Sequence, residues 1–142
     1  MKPESARFVE QANIILSRAD IMLSAKLNED AAREAYLASF HVAQAYIFER
    51  TNRVSKTHSG VQREFFRLTK DDRRTDRDLR RFLSQSYEFK AVADYFSGPN
   101  PVTSPEEAAE AIETAKCFVA HFSQLVATPT GMPRTGPDAT TA

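Results

Sequence analysis

The sequence predicts an all-α protein, an up-and-down helical bundle of four long helices plus one short helix. Apolar residues recur at helical spacing in nearly every segment, and no stretch keeps the alternation of apolar and polar residues that is typical of a strand. The chain has 142 residues, of which 42% are hydrophobic and 27% are charged. This length and composition fit one globular domain with a single core.

The first two helices are expected to form an antiparallel hairpin. The first covers roughly residues 4–26 and carries one apolar stripe, made of Phe8, Ala12, Ile15, Ala19 and Met22. Asn28 is followed by two acidic residues and is a candidate N-cap for the second helix, which runs to about Arg50. The short interval between the two apolar faces suits antiparallel neighbours.

The middle of the chain predicts a short third helix and a longer fourth helix. Ser55 or Thr57 can cap the third helix, whose apolar face holds Val61, Phe65 and Leu68. A charged connection follows, and Thr75 or Asp76 can cap the fourth helix. The apolar face of this fourth helix is long and consists of Leu79, Phe82, Leu83, Ser86, Phe89 and Ala93.

The last helix has the clearest start in the sequence. Residues 97–101 contain one glycine and two prolines and must form a turn. Ser104 then stands at the N-cap, a proline follows it, and Glu107 completes a capping box. Residues 1–127 are expected to form the helical domain. Residues 128–142 are rich in Pro, Gly and Thr, and we expect them to be a disordered tail.

Composition excludes several classes of protein and of site. The single cysteine, Cys117, rules out an intrachain disulfide framework and is expected in the core. Four scattered glycines exclude Gly-rich phosphate loops. Since there is neither a secretory signal nor a membrane-spanning apolar run, we expect a cytoplasmic protein without membrane association. Lys and Arg balance Asp and Glu at 19 each, which argues against a generic nucleic-acid coat protein but allows a local basic patch.

The histidines outside the loop described next do not predict a metal site. His41 and His121 each lie on a mostly apolar helical segment and are expected to be hydrogen-bonded core or interface residues. No two histidines stand at metal-ligand spacing with a carboxylate. We therefore expect neither a metal nor another cofactor.

The loop between the second and third helices holds the first group of residues that could carry chemistry. It contains Arg53, Lys56 and His58 directly before a helix N-terminus, where free N–H groups suit a phosphate. A histidine can act as acid or base, and an arginine can stabilise a pentacovalent phosphate. Together they would suffice for RNA cleavage without a metal ion. The alternative is a solvated basic loop in which His58 only caps or packs.

A second group of polar residues lies at the end of the fourth helix. Tyr87, Lys90 and Asp94 share one helical face, although an amphipathic helix end with a Lys90–Asp94 ion pair would have the same pattern. Upstream of it, residues 62–81 hold eight cations and five anions, a surplus of +3. This stretch could bind RNA phosphates or an acidic partner protein. The alternative is a charged face that contacts only solvent.

Three short segments occur in an order and spacing that identify a family resemblance. They are residues 35–43 (Ala-Tyr-Leu-Ala-Ser-Phe-His-Val-Ala), 56–61 (Lys-Thr-His-Ser-Gly-Val) and 93–95 (Ala-Asp-Tyr). Together they resemble the HEPN superfamily (higher eukaryotes and prokaryotes nucleotide-binding domain), over roughly residues 5–127. The segment Lys-Thr-His-Ser-Gly-Val resembles the loop of a small prokaryotic branch of this family at every position. The resemblance implies a helical bundle.

The resemblance also implies an active site. Many HEPN proteins are metal-independent ribonucleases with an Arg-x(4–6)-His motif that is brought together across a homodimer. Arg53 and His58 meet that spacing and are the predicted catalytic pair, with Arg53 on the phosphate and His58 as acid and base. In the toxin branch the motif belongs to a later helix, where this chain has Lys90 and no histidine. The predicted binding residues, lining one cleft, are Lys56, Thr57, Ser59, Tyr87, Lys90, Asp94 and Tyr95.

Two functions follow from these expectations. The leading hypothesis is a HEPN protein that forms a homodimer and binds RNA or nucleotide, as a ribonuclease toxin regulated by a nucleotidyltransferase antitoxin. The competing hypothesis is a non-catalytic adaptor with the same bundle, which binds a partner protein or a nucleotide without cleaving anything.

Overall fold

In the computed structural model, residues 1–95 and 102–128 are described, and every regular element within these two ranges is a helix. The predicted all-α fold is therefore confirmed. The predicted turn at residues 97–101 and the predicted tail, Thr128 excepted, lie outside the described residues. The helices are α1 (Pro3–Ser24), α2 (Asn28–Thr51), α3 (His58–Thr69), α4 (Arg77–Gln85), α5 (Tyr87–Tyr95) and α6 (Pro105–Ala127). In this part of the chain, no helix combines the length and the apolar character that crossing a membrane requires.

Helix α2 lies at the centre of the bundle. It packs against α1, α3, α5 and α6, and 15 of its 24 residues are buried. A helix that buries most of its residues belongs to the core rather than to an amphipathic surface layer. Small side chains allow its neighbours to approach closely, and the buried alanines are Ala31, Ala32, Ala35, Ala38, Ala43 and Ala45. The polar side chains of α2 must therefore find hydrogen-bond partners inside the protein.

The predicted fourth helix is divided into α4 and α5. Ser86 is the C-cap of α4. Its N–H donates to Phe82 O at 2.8 Å, and Phe89 N–H donates to Ser86 O at 3.0 Å. The main partner of α4 is α6, whereas the main partner of α5 is α2. One straight helix could not reach both partners, so the break at Ser86 places α5 against the central helix.

The predicted caps are confirmed at three helices and wrong at one. Thr57, Asp76 and Ser104 each accept the N–H of the residue three positions later, and Ser104 forms the full capping box. Asn28 is already the first residue of α2, and Leu27 precedes it without a side-chain cap. Glu29 Oε2 instead accepts the N–H groups of the two residues that lead to Ser104, at 2.9 and 2.8 Å.

The cysteine prediction is wrong, and the two histidine predictions are confirmed. Cys117 is exposed on α6. His41 is half-buried, with Nδ1 2.8 Å from Gln44 Oε1. His121 Nε2 accepts the N–H of Asp76 at 3.1 Å, which joins α6 to the start of α4.

A buried ionic network anchors the connection between α3 and α4 to the central helix. Tyr46 Oη donates to Asp72 Oδ2 at 2.7 Å. Arg74 Nη2 contacts the same oxygen at 2.8 Å, and Arg50 Nη2 lies 3.6 Å from it. The Arg50 guanidinium also stacks on the Tyr46 ring at 3.6 Å. Burial alone would raise the pKa of Asp72, but the hydrogen bonds from Arg74 and Tyr46 lower it to about 2.

This network predicts a pH-dependent contribution to stability. We expect Asp72→Asn to reduce the free energy of unfolding by about 2 kcal/mol at pH 7. The folded-state pKa of Asp72 lies below its unfolded value, so the contribution is complete above about pH 4 and is lost as the pH falls toward 2. Urea unfolding of both proteins between pH 7 and pH 3 measures the difference. A gap of the same size at pH 3 and pH 7 would contradict the assignment.

Candidate active site

His58 is the first residue of α3, and its neighbours in sequence explain why the helix begins there. Thr57 is the N-cap, and its hydroxyl accepts the N–H of Gly60 at 3.0 Å. Gly60 is required by space, because a Cβ at this position would stand 2.6 Å from Thr57 Oγ1 and 3.0 Å from Ser55 Oγ. The Thr-x-x-Gly sequence thus closes the first turn tightly around its own cap.

The imidazole of His58 is held in place by aromatic residues of α2 and α5. Its Nδ1 lies 2.8 Å from Tyr36 Oη, within hydrogen-bond distance. The ring centroids of Phe40, Tyr87 and Tyr36 lie 4.6, 5.5 and 5.6 Å from that of His58. Contacts at these distances restrict the ring orientation. Since Tyr36 engages Nδ1, Nε2 is the nitrogen that is left for a substrate.

Charged side chains of α2 and α5 form a network beside the imidazole. Asp94 accepts from Lys90 Nζ at 2.5 Å and from Arg33 Nε at 2.7 Å, so one carboxylate aligns two cations. Arg33 also contacts Glu34 at 3.4 Å. The side chains of Arg33, Lys90 and Asp94 are 33, 15 and 26% exposed, and a solute phosphate can therefore reach the network.

The surroundings keep the His58 imidazole neutral at pH 7. Burial lowers its pKa, and the positive charges of Lys90 and Arg33 lower it further against the opposing effect of Asp94. Burial raises the pKa of the Tyr36 phenol, which therefore keeps its proton. When His58 Nδ1–H donates to Tyr36 Oη, Nε2 can accept a proton. In the other tautomer Nε2–H can donate one.

Four of the sequence-predicted site residues lie together: His58, Tyr87, Lys90 and Asp94. Tyr95 is at the end of α5 and is 81% exposed. Lys56 and Ser59 flank the site as exposed side chains. The Thr57 hydroxyl is already used by the helix cap, so its visible role is to position His58.

Arg53 lines a cavity that does not include His58. This cavity has a volume of about 720 Å³ and is lined by Ile47, Thr51, Arg53, Val54, Ser55, Arg63, Glu64 and Arg67. The charged groups that act most strongly on His58 are Lys90, Asp94 and Arg33. Arg53 and His58 thus have different surroundings within one protomer. That they act together in catalysis stays a prediction.

Tyr36 and Arg33 are site residues that the sequence patterns did not predict. Tyr36 occupies a position of the apolar stripe of α2, and nothing in that stripe distinguishes a phenol that packs from one that holds a histidine. Arg33 is three residues earlier and meets Asp94, which is 61 positions away in sequence. The available signal was the helical spacing of Arg33, Tyr36 and Phe40. Within residues 1–95 and 102–128, no group of three or more His, Cys, Asp or Glu side chains could hold a metal ion.

Comparisons with known proteins agree with the helical bundle. A family model described as "HEPN domain" matches residues 5–125. A protein of Methanocaldococcus jannaschii named "Putative toxin MJ0605" is 31% identical over 119 residues, which cover 84% of this chain and 86% of that protein. The crystal structure of TT1696 from Thermus thermophilus has a TM-score of 0.73 at 19% identity, over 87% of this chain and 98% of that chain. The similarity to the TT1696 structure shows a shared fold.

The charge arrangement predicts how His58 titrates. We expect its pKa to lie below the ordinary value of 6.5, and to rise in a Lys90→Met variant because a nearby positive charge is removed. Lys56→Met is the matched control, since Lys56 is two residues from His58 in sequence but is not among the charges that lower its pKa.

NMR measurement of the histidine Cε1–H shifts against pH checks this expectation, with His58→Gln used to assign the signal. If Lys90→Met and Lys56→Met moved the pKa of His58 equally, the charge network would not have the assigned influence.

Proposed function

The chain belongs to the HEPN domain family, and on that basis we propose that it is a toxin-like endoribonuclease that cleaves RNA at His58 without a metal ion. The observation that carries this proposal is the pairing of His58 Nδ1 with Tyr36 beside two cations, Lys90 and Arg33. A fixed, neutral imidazole next to positive charge combines an acid/base group with a phosphate site. The similarity to the protein named "Putative toxin MJ0605" supports the biological class.

The proposed reaction uses the ribose of the substrate as its nucleophile. His58 Nε2 removes the proton of a 2′-hydroxyl, and the 2′-oxygen attacks the adjacent phosphorus. The bond from phosphorus to the 5′-oxygen breaks, and the imidazolium returns a proton to that oxygen. The products are a 2′,3′-cyclic phosphate and a 5′-hydroxyl, so no water or metal is consumed in this step.

The cations stabilise the charge that develops on the phosphate. Lys90 and Arg33 are held by Asp94, and the pentacovalent phosphate accepts hydrogen bonds from them in the transition state. Tyr36 holds the imidazole in the orientation that this step needs and is a positioning residue. In this proposal Lys90 stabilises the phosphate, which is the role that the Arg-x4-His spacing predicts for Arg53.

The proposal predicts the ranking of three variants in an RNA cleavage assay with EDTA, with enzyme in excess over RNA. His58→Ala should lower the cleavage rate by about 10²–10⁴-fold, because acid/base catalysis is lost. Lys90→Met should lower it by about 10²-fold, because a charge-stabilising donor is lost. Arg53→Gln should have a smaller effect than either.

Several controls separate the outcomes. His121→Gln removes a histidine at the α4–α6 junction and should cleave at the wild-type rate. If Arg53→Gln were more damaging than Lys90→Met, the phosphate role would return to Arg53. Unchanged cleavage by His58→Ala would remove His58 from the mechanism. No cleavage by the wild type, together with no growth arrest on overexpression, would favour the non-catalytic adaptor.

The partners form a separate part of the proposal. We propose a homodimer paired with a nucleotidyltransferase antitoxin, in line with the family resemblance of the three sequence segments. Light scattering of the purified chain tests the homodimer. A small nucleotidyltransferase reading frame beside the gene, and its co-purification with this chain, would support the pair.

A further inference from the structure

A cationic cavity, here called the arginine cavity, lies between the end of α2, the following loop and α3. It is the cavity of about 720 Å³ beside Arg53. Three arginines and one glutamate line it, which leaves a surplus of two positive charges: the charged residues are Arg53, Arg63, Glu64 and Arg67. A cavity of this size can hold a nucleotide-sized ligand.

The positive charge of the arginine cavity is only partly neutralised. Arg67 donates to both oxygens of Glu64, at 2.6 and 3.3 Å. Arg53 and Arg63 form no ion pair with any described residue. Hydrogen bonds from Arg67 lower the pKa of the Glu64 carboxyl, and the charges of Arg67, Arg63 and Arg53 lower it further. The positive charges of all three arginines therefore act on the same group, the Glu64 carboxylate.

The remaining lining favours a nucleotide over a bare anion. Val54 borders the cavity and is 46% exposed, so it offers apolar surface for a base or ribose. Ser55 and Thr51 add hydroxyl groups. Arginine binds phosphate through two parallel N–H donors, a geometry that lysine cannot offer.

The arginine cavity is close to His58 along the chain. Ser55 lines the cavity and precedes His58 by three residues, so their Cα atoms are at most about 10 Å apart. We infer that the arginine cavity binds the phosphate group of a nucleotide, and that it holds nucleotides next to the cleaved bond when RNA occupies the His58 site. The second part of this inference rests on the proposed function.

A non-cleavable probe tests binding separately from catalysis. A fluorescein-labelled 2′-O-methyl oligonucleotide of about 12 residues lacks the attacking hydroxyl, so wild-type protein can be titrated by fluorescence anisotropy. Arg63→Gln and Arg53→Gln should each weaken binding by about fivefold and reduce the salt dependence of log K by about 0.7. Arg81→Gln on α4, an exposed arginine outside the cavity, is the matched control and should change neither quantity.

A reverse variant gives the sharpest check of the cavity. Glu64→Gln removes the one carboxylate and frees Arg67, so it should strengthen binding, opposite to the arginine variants. Its failure to strengthen binding would overturn the placement of phosphate near Arg67. Equal effects of Arg63→Gln, Arg53→Gln and Arg81→Gln would overturn the cavity as a specific site, because only total charge would then matter.

Calorimetric titration with 5′-AMP distinguishes a free nucleotide from RNA. Loss of AMP binding in Arg63→Gln without loss of oligonucleotide binding would support a nucleotide site and overturn its role in RNA binding. If the wild type bound neither probe, the inference would fall, and an acidic protein surface would be the remaining partner for these arginines. If oligonucleotide binding depended on the arginines but the wild type cleaved no RNA, the inference would stand and the proposed function would fall.

Discussion

The central position of α2 is the constraint on which the rest of the structure depends. Of its 24 residues 15 are buried, and the buried polar side chains cannot rely on water and need partners inside the protein. Tyr46 meets Asp72, which anchors the connection between α3 and α4. Tyr36 meets His58, which anchors the start of α3. The same requirement that stabilises the core therefore also positions the candidate acid/base residue.

The loop between α2 and α3, which joins the two candidate functional regions, is also held by residues of the central helix. Gln44 on α2 donates from Nε2 to Ser55 O at 2.9 Å, and its Oε1 contacts His41. Asn52 ends α2 in the left-handed conformation, with φ of 59°, and turns the chain. A loop fixed at these points can present Arg53 to the arginine cavity and His58 to the α2–α5 cluster. In the inference drawn above, the two regions bind different parts of one nucleic-acid substrate.

Local signals predicted helix starts well, and long-range packing accounts for what they missed. Ser104 and Thr57 act as caps because their side chains need only the next turn of the same helix. The break at Ser86 was not predictable from periodicity, since the apolar spacing continues through it while the packing partner changes from α6 to α2. Cys117 shows the same limit: it lies next to the apolar stripe of α6, yet its side chain faces away from the bundle.

The sequence by itself determined the all-α class, the order of the helices and the identity of His58 as a residue of interest, because helical periodicity, caps and short motifs are local properties of the chain. Only the tertiary structure decided which charges surround that histidine. Arg33 is on α2, and Lys90 and Asp94 are on α5. Arg33 and Asp94 are in contact although they are 61 residues apart in sequence. Arg53 is five residues from His58, yet it lines a cavity that does not include His58. Electrostatic interaction depends on distance through space, and sequence separation does not report it.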